Sequence, residues 1–317
     1  MKKPHIALFA GDPAGIGPEL VQKLLQNEEH ASKAQISLIG QRGTMDVPAG
    51  VHWVDWPGLN LPAFERGMAA ASNGRYMLEG LALGASMVHS GAADALCFAP
   101  LNKSALRAGG MTQEDELRWF AELLAYEGYC GELNVLENLW TARVTSHVAL
   151  KEVSELLTPE KVALAIGMIH RALQESGKAN PRLAVCGLNP HNGDNGNYGD
   201  EEGRVIAPGV ALAAAQGHPA DGPFPADTAF VRAIRPHDGY DGVVTMYHDQ
   251  GQIAMKLMGF ERGVTVHGGL PIPITTPAHG TAYDIAGQNK ANVGAMLNAF
   301  DLACRMGHHH ATHVMKG

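Results

Sequence analysis

Three histidines, His147, His191 and His248, each follow a short apolar run and stand among polar neighbours. Neutral imidazole is a common ligand of zinc and other divalent ions, and three such ligands with one open position describe a catalytic site rather than a closed structural one. An ion held there would act as a Lewis acid, lowering the pKa of a substrate hydroxyl and steadying the alkoxide while hydride leaves. The chain has 16 histidines, so a surface or structural role competes with this reading at each of them. Asp249, next to His248, is a ligand, a partner of the imidazole or a turn residue. Lys103 and Lys256 are point charges for a substrate carboxylate or phosphate, or else solvated surface lysines.

Two loops have the composition to meet a cofactor. Gly11–Glu19 is rich in glycine and can present backbone N–H groups to an anion. It is neither a GxGxxG fingerprint nor a Walker A loop. Its candidates are Gly11, Asp12 and Gly15. The segment His279–Gly287 contains His279, Gly280, Thr281, Ala286 and Gly287. Its small residues let a planar ligand approach the backbone; an ordinary turn and helix start is the alternative. His308-His309-His310 reads as a solvated tail rather than a metal tract.

These residues need a scaffold. Apolar runs at Ile6–Ala10, Ile36–Ile39, Ala95–Ala99, Val144–His147, Leu183–Leu188 and Gly242–Tyr247 read as buried strands. Between them lie helical patterns. The clearest starts at Thr158-Pro159-Glu160, an N-cap followed by proline at the first helical position. Val162, Ile166, Ile169 and Leu173 then form one apolar face. Alternating strands and helices imply an α/β fold with a largely parallel sheet. In open sheets of that kind, ligands bind beyond the carboxyl ends of strands, which is where the candidate residues stand.

The chain has 317 residues, 45 % hydrophobic and 18 % charged, with a formal net charge of −8. That length supports two domains or one large α/β unit. The acidic balance argues against a nucleic-acid or anionic-membrane partner, since either needs a basic face. Four widely spaced cysteines without a CxxC pair fit a reduced compartment. No apolar run has the length of a membrane span, and the N-terminal residues lack a signal-like apolar stretch. The expected location is the cytoplasm.

Seven stretches, GDPAGIGPE (11–19), APLNKSAL (99–106), TSHVAL (145–150), GLNPHNGD (187–194), GPFPADTAF (222–230), YHDQGQIAMK (247–256) and HGTAYDIAG (279–287), occur in this order over nearly the whole chain. Together they resemble the 4-hydroxythreonine-4-phosphate dehydrogenase family of vitamin B6 (pyridoxine) biosynthesis. The resemblance implies a two-domain fold like that of isocitrate and isopropylmalate dehydrogenases. The cofactor-side domain would comprise 1–125 and 270–317; a central domain, 126–269, would carry the metal ligands and the dimer interface. It implies a homodimer in which both subunits contribute to the metal site. His147, His191 and His248 fall on the family's metal ligands, and Lys256 on its substrate-contacting lysine. The HGTAYDIAG loop, with Asn292 downstream, falls on the cofactor side. The implied reaction is oxidation of a hydroxyl β to a carboxylate by NAD (or NADP), followed by loss of CO2. The implied metal is zinc, with cobalt, manganese, nickel or magnesium as alternatives.

The resemblance has three departures. Glu114–Phe120 stands where the family carries Gly-His-Thr-Glu, Thr265 where it has a substrate-contacting asparagine, and Ile274 where it has a substrate-binding arginine. Losing a bidentate cation and gaining carboxylates weakens phosphate recognition, and Arg118 is the candidate to restore the charge. The substrate expected is therefore a small hydroxy acid of this family, with four-carbon sugar acid phosphates (threonate or erythronate 4-phosphate) or cyclic dihydrodiol carboxylates as alternatives. A non-redox metal-binding protein is the reading from another class.

Overall fold

Branched and aromatic side chains suit a buried pleated surface, and most of the apolar runs become strands. The computed structural model describes residues 2–56 and 64–313. Its strands are β1 (His5–Phe9), β2 (Gln35–Ile39), β3 (His52–Trp53), β4 (Ala95–Phe98), β5 (Gly131–Leu136), β6 (Leu139–Arg143), β7 (Leu183–Cys186), β8 (Asp221–Phe224), β9 (Gly242–Thr245), β10 (Val264–Gly268) and β11 (Ile274–Pro277). The chain divides into two units. One contains the residues up to Gly128 and from Glu261 onward, and the other is Tyr129–Phe260.

In the first unit the strand order is β3-β2-β1-β4-β11-β10. Pairing is parallel except between β10 and β11. All four residues of β4 are buried, as expected for a sheet whose faces are covered by crossover helices. Phe9, Met77, Leu81, Leu96, Phe120 and Ile274 share its core.

The second unit orders its strands β5-β6-β9-β7-β8, with β5–β6 antiparallel and the remaining pairs parallel. Its longest helix, Pro159–Glu175, follows the sequence closely. Thr158 Oγ1 accepts the Lys161 N–H at 3.2 Å, and Val162, Ile166, Ile169 and Leu173 are all buried. Gly177 ends it in the left-handed region at φ 104°, and Lys178 N–H donates back to Leu173 O at 3.0 Å. That is the stop a glycine just past a helix provides.

Three expectations are corrected. The strand expected at Val144–His147 lies earlier, at Leu139–Arg143. Register with β9 ends at Arg143 opposite Thr245, and the chain leaves the sheet through Val144 and Thr145. The second crossing between units falls after 260 rather than after 269. Val264–Gly268 pairs with Ile274–Pro277, which carries Thr265 into the first unit. His308–His310 is no tail: it belongs to the helix Gly294–His313, His310 is buried, and the His309 and His313 rings stack with centroids 4.2 Å apart.

Candidate functional site

In the second unit, His147 leaves the end of β6 and His248 opens the helix His248–Gly259 after β9. Parallel pairing of these neighbouring strands brings both histidines to the same sheet end. Their ring centroids lie 5.8 Å apart. Two imidazoles sharing one ion through bonds of about 2.1 Å place their ring centres roughly 5–6 Å apart, and the separation of this pair falls in that range. His248 Nδ1 lies 2.7 Å from Asp249 Oδ1. A carboxylate on one ring nitrogen fixes the tautomer and leaves Nε2 to ligate. Asp249 is thus the imidazole's partner, one of the roles its position allowed.

His191 is exposed and follows β7, in a segment where the backbone is left-handed from His191 through Asn195. Among the described residues, no group of three His, Cys, Asp or Glu side chains is arranged to hold one ion within a single chain. The structure therefore gathers His147 with His248 and does not add His191 to them. Lys256 is exposed on the helix that His248 starts, one turn beyond Gln252.

A polar network holds the His147 loop. The buried Arg143 donates from Nε to Ser146 Oγ at 2.9 Å, from Nη1 to Asn134 Oδ1 at 2.8 Å and from Nη2 to Glu132 Oε2 at 2.5 Å. Gln252 Nε2 donates to the same Asn134 oxygen. Gln250 accepts the Met246 N–H at 2.7 Å and donates to Gly187 O at 2.8 Å. It thereby ties the turn before His248 to the segment that leads toward His191. Sequence reading missed Arg143, Gln250 and Gln252. Its one usable signal was a pair of glutamines beside His248.

The two candidate cofactor loops meet in the first unit. Ile16 N–H donates to Thr281 O at 3.1 Å, and Tyr283 Oη donates to Asp12 Oδ2 at 2.5 Å. Asp12 is fully buried, and that burial raises its carboxyl above the usual range. The hydrogen bonds from Tyr283 and from Ala14 N–H oppose the rise. Gly11, at φ 72°, lies so close to Ala99 O that a Cβ would stand 2.5 Å from it, so this turn requires glycine. Glu19 accepts Ala291 N–H at 2.7 Å, while Lys23 donates to Ala291 O at 2.8 Å. A cavity of about 700 Å³ opens beside these contacts, lined among others by Gly15, Glu19, Lys23, Gln41, Arg66 and Gly287. His279 Nδ1 stands 3.1 Å from Gly280 O, and Asn292 Oδ1 accepts Gly294 N–H at 2.8 Å. Gly280 and Ala286 lie in the same segment, on either side of the one-turn helix Tyr283–Ile285.

The substrate-side departures also lie in the first unit. Lys103 is the first residue of a short helix capped by Asn102, and its ammonium lies 4.0 Å from Glu116. Asp115 accepts Arg118 N–H and caps the helix Glu116–Leu123, with the Arg118 side chain exposed. Within the acidic stretch, Asp115 therefore acts as a helix cap and Glu116 as a partner for a lysine. Ile274 is 0 % exposed and packs with Leu96, Phe98 and Phe120. It is a core residue, which corrects the expectation that this position belongs to the substrate-binding side chains.

The family model described as pyridoxal phosphate biosynthetic protein PdxA matches residues 15–303. This chain belongs to the PdxA family. A Pseudomonas aeruginosa relative, provisionally named 4-hydroxythreonine-4-phosphate dehydrogenase 2, is 52 % identical, covering 97 % of this chain and 98 % of its own. The D-threonate 4-phosphate dehydrogenase of Salmonella typhimurium is 34 % identical over 96 % of this chain and 100 % of its own. The crystal structure of a Klebsiella pneumoniae 4-hydroxythreonine-4-phosphate dehydrogenase superposes with a TM-score of 0.83 at 33 % identity, covering 96 % of this chain and 98 % of that one. PdxA relatives named for their reaction are dehydrogenases, which places this chain among the oxidoreductases. Among the described residues, no helix is long and apolar enough to cross a membrane.

Proposed function

We propose that this PdxA-family chain is an NAD- and divalent-metal-dependent dehydrogenase of a small, acidic, phosphorylated hydroxy acid, working as a homodimer in the cytoplasm. The observation that carries the reading is the His147–His248 pair with Asp249 behind it, in a chain whose named relatives are dehydrogenases. His147, His248 and a His191 would hold the ion; imidazole donors suit zinc, with cobalt, nickel or manganese as substitutes. When bound, the ion supplies Lewis acidity toward the substrate hydroxyl and toward the negative charge left by decarboxylation.

The remaining work falls to the chain. Asp249 keeps His248 in the ligating tautomer. Lys256 balances the substrate's negative charge as a point charge. The Gly11–Glu19 and His279–Gly287 loops would hold the dinucleotide, with Lys23 and Arg66 at the wall of the neighbouring cavity available to its negative charge. A second copy completes the ligand set. Val148 and Leu150 beside His147, with Ile253 and Leu257 on the His248 helix, are 40 %, 69 %, 61 % and 84 % exposed. An exposed apolar surface flanking an incomplete site fits burial against a partner subunit.

For the substrate, 4-hydroxythreonine 4-phosphate is the first reading and a four-carbon sugar acid phosphate the second. The second is supported by the Salmonella typhimurium relative named D-threonate 4-phosphate dehydrogenase, 34 % identical to this chain. The test is NADH formation with both classes of substrate, with NAD and NADP compared. Turnover of either class with NAD supports the assignment. No reduction of either cofactor with any hydroxy acid, in metal-replete protein, rejects it.

A further inference from the structure

Among the described residues Glu202 is the one buried carboxylate of the second unit, 5 % exposed, and the chemistry proposed above gives it no task. It opens a π-helical turn, Glu202–Ile206, ahead of the helix Ala207–Ala215. Such turns are rare and are frequent at functional sites. Its Oε1 accepts two successive backbone N–H groups, Leu188 at 2.8 Å and Asn189 at 2.7 Å. Its Oε2 accepts Asn189 Nδ2 at 3.1 Å. All of these donors belong to the segment that enters Pro190 and His191.

That segment needs holding. His191, Asn192, Asp194 and Asn195 have φ of 53°, 59°, 42° and 55°, with Gly193 at 79° between them. L residues adopt this region at an energetic cost, and a run of them persists only where the surroundings over-determine it. Two glycines make the space for the carboxylate. A Cβ on Gly187 would lie 3.0 Å from Glu202 Oε1, and one on Gly193 would lie 2.8 Å from Oε2. Asn192 Nδ2 adds a bond to Pro223 O at 3.1 Å, and Gln250 holds Gly187 O from the His248 side.

We infer that Glu202 is the positioning residue for His191: it fixes the left-handed segment so that this imidazole is presented as a metal ligand. The inference rests on the metal reading given above. Ligating groups depend on neighbours that fix their orientation, and loss of such a neighbour typically weakens metal binding 10- to 100-fold. Here the neighbour acts through the backbone that carries the ligand rather than through the imidazole itself.

The test uses full-length protein stripped of metal by chelation and titrated with Co2+, read by the visible absorption of the bound ion. Glu202→Ala is expected to bind roughly 10- to 100-fold more weakly, with an altered spectrum and a lower kcat. KM for NAD should not change, since the cofactor loops lie in the other unit. Glu202→Gln keeps an oxygen for the two backbone N–H groups but sets its amide nitrogen against Asn189 Nδ2. It should bind Co2+ roughly threefold to tenfold more weakly while retaining its circular dichroism. A merely structural role would lower Tm and leave Co2+ affinity intact well below the transition. Unchanged affinity and spectrum in the folded Ala or Gln variant overturns the inference. His191→Ala separates it from its premise. If that variant binds Co2+ as tightly as the parent, the metal reading fails. If it binds weakly and the Glu202 variants do not, the positioning role alone fails.

Discussion

Replacing Arg143 with methionine removes the centre of the network behind His147. The guanidinium is 7 % exposed and its Glu132 partner 20 %. The substitution deletes donors to Glu132, Asn134 and Ser146 while leaving their oxygens in place. Breaking a buried ion pair by removing one partner costs about 3–5 kcal/mol. Water reaches part of Glu132, which puts the expectation near the lower end, about 3 kcal/mol. At about 2.1 cal/mol/K of unfolding entropy per residue, a chain of 317 residues shifts roughly 1.5 °C per kcal/mol, so Tm should fall by roughly 4–5 °C. Freeing Ser146 also loosens the loop that presents His147, so kcat should drop by roughly tenfold or more. Calorimetry and steady-state kinetics read the two effects separately. A second substitution, Glu132→Gln, removes the orphaned charge and should recover about 1–2 kcal/mol. A Tm and kcat indistinguishable from the parent, or no recovery in the double variant, would refute the reasoning.

Three further outcomes are expected. His170 and His218, whose Nδ1 atoms lie 3.2 Å apart, have pKa values lowered chiefly by burial and further by Arg171. The folded state therefore binds fewer protons than the unfolded chain below the ordinary value of 6.5. Stability is full above that pH and falls as pH drops beneath it. Asp12 and Glu175, raised by burial, act in the opposite sense, so the readout is a difference: Tm lost between about pH 7.5 and about pH 5.5 should be smaller in His170→Gln/His218→Gln than in the parent. Mixing inactive His147→Ala and His191→Ala proteins should restore activity on subunit exchange if these ligands come from different chains, and no recovery after confirmed exchange counts against a shared site. Ile274→Arg places an unpaired guanidinium in a fully buried position and should lose more than about 4 kcal/mol of stability; a folded variant with better kcat/KM on 4-hydroxythreonine 4-phosphate would show instead that this position faces substrate.

What was legible in the sequence tracks how local each cause is. Thr158-Pro159 and the apolar spacing behind them specify a helix by themselves, and the structure has it at Pro159–Glu175. His147 and His248 come together because their strands are neighbours in a parallel sheet, an outcome that strand-end positions suggest but do not rank. Glu202 left no mark, because Oε1 is held by backbone N–H groups 13 and 14 residues away, and nothing in their residue types announces those bonds. Ile274 was misread for a related reason: resemblance to a family supplies a position but not its burial. The histidines at 308–310 looked like a tail because polarity near a terminus mimics disorder, whereas alternate faces of the Gly294–His313 helix bury one of them and expose the others only partly.

The central claim is that His147 and His248 hold an ion on which NAD reduction depends. Its most direct measurement is NADH absorbance during turnover of the hydroxy-acid phosphate by chelator-stripped protein, before and after resupply of Zn2+, Co2+ or Mn2+, in the parent and in His248→Ala. The account predicts no NADH from stripped parent, recovery on resupply, and no recovery in His248→Ala despite a parental circular dichroism spectrum. Full turnover by the stripped protein, or recovery by folded His248→Ala, would contradict it.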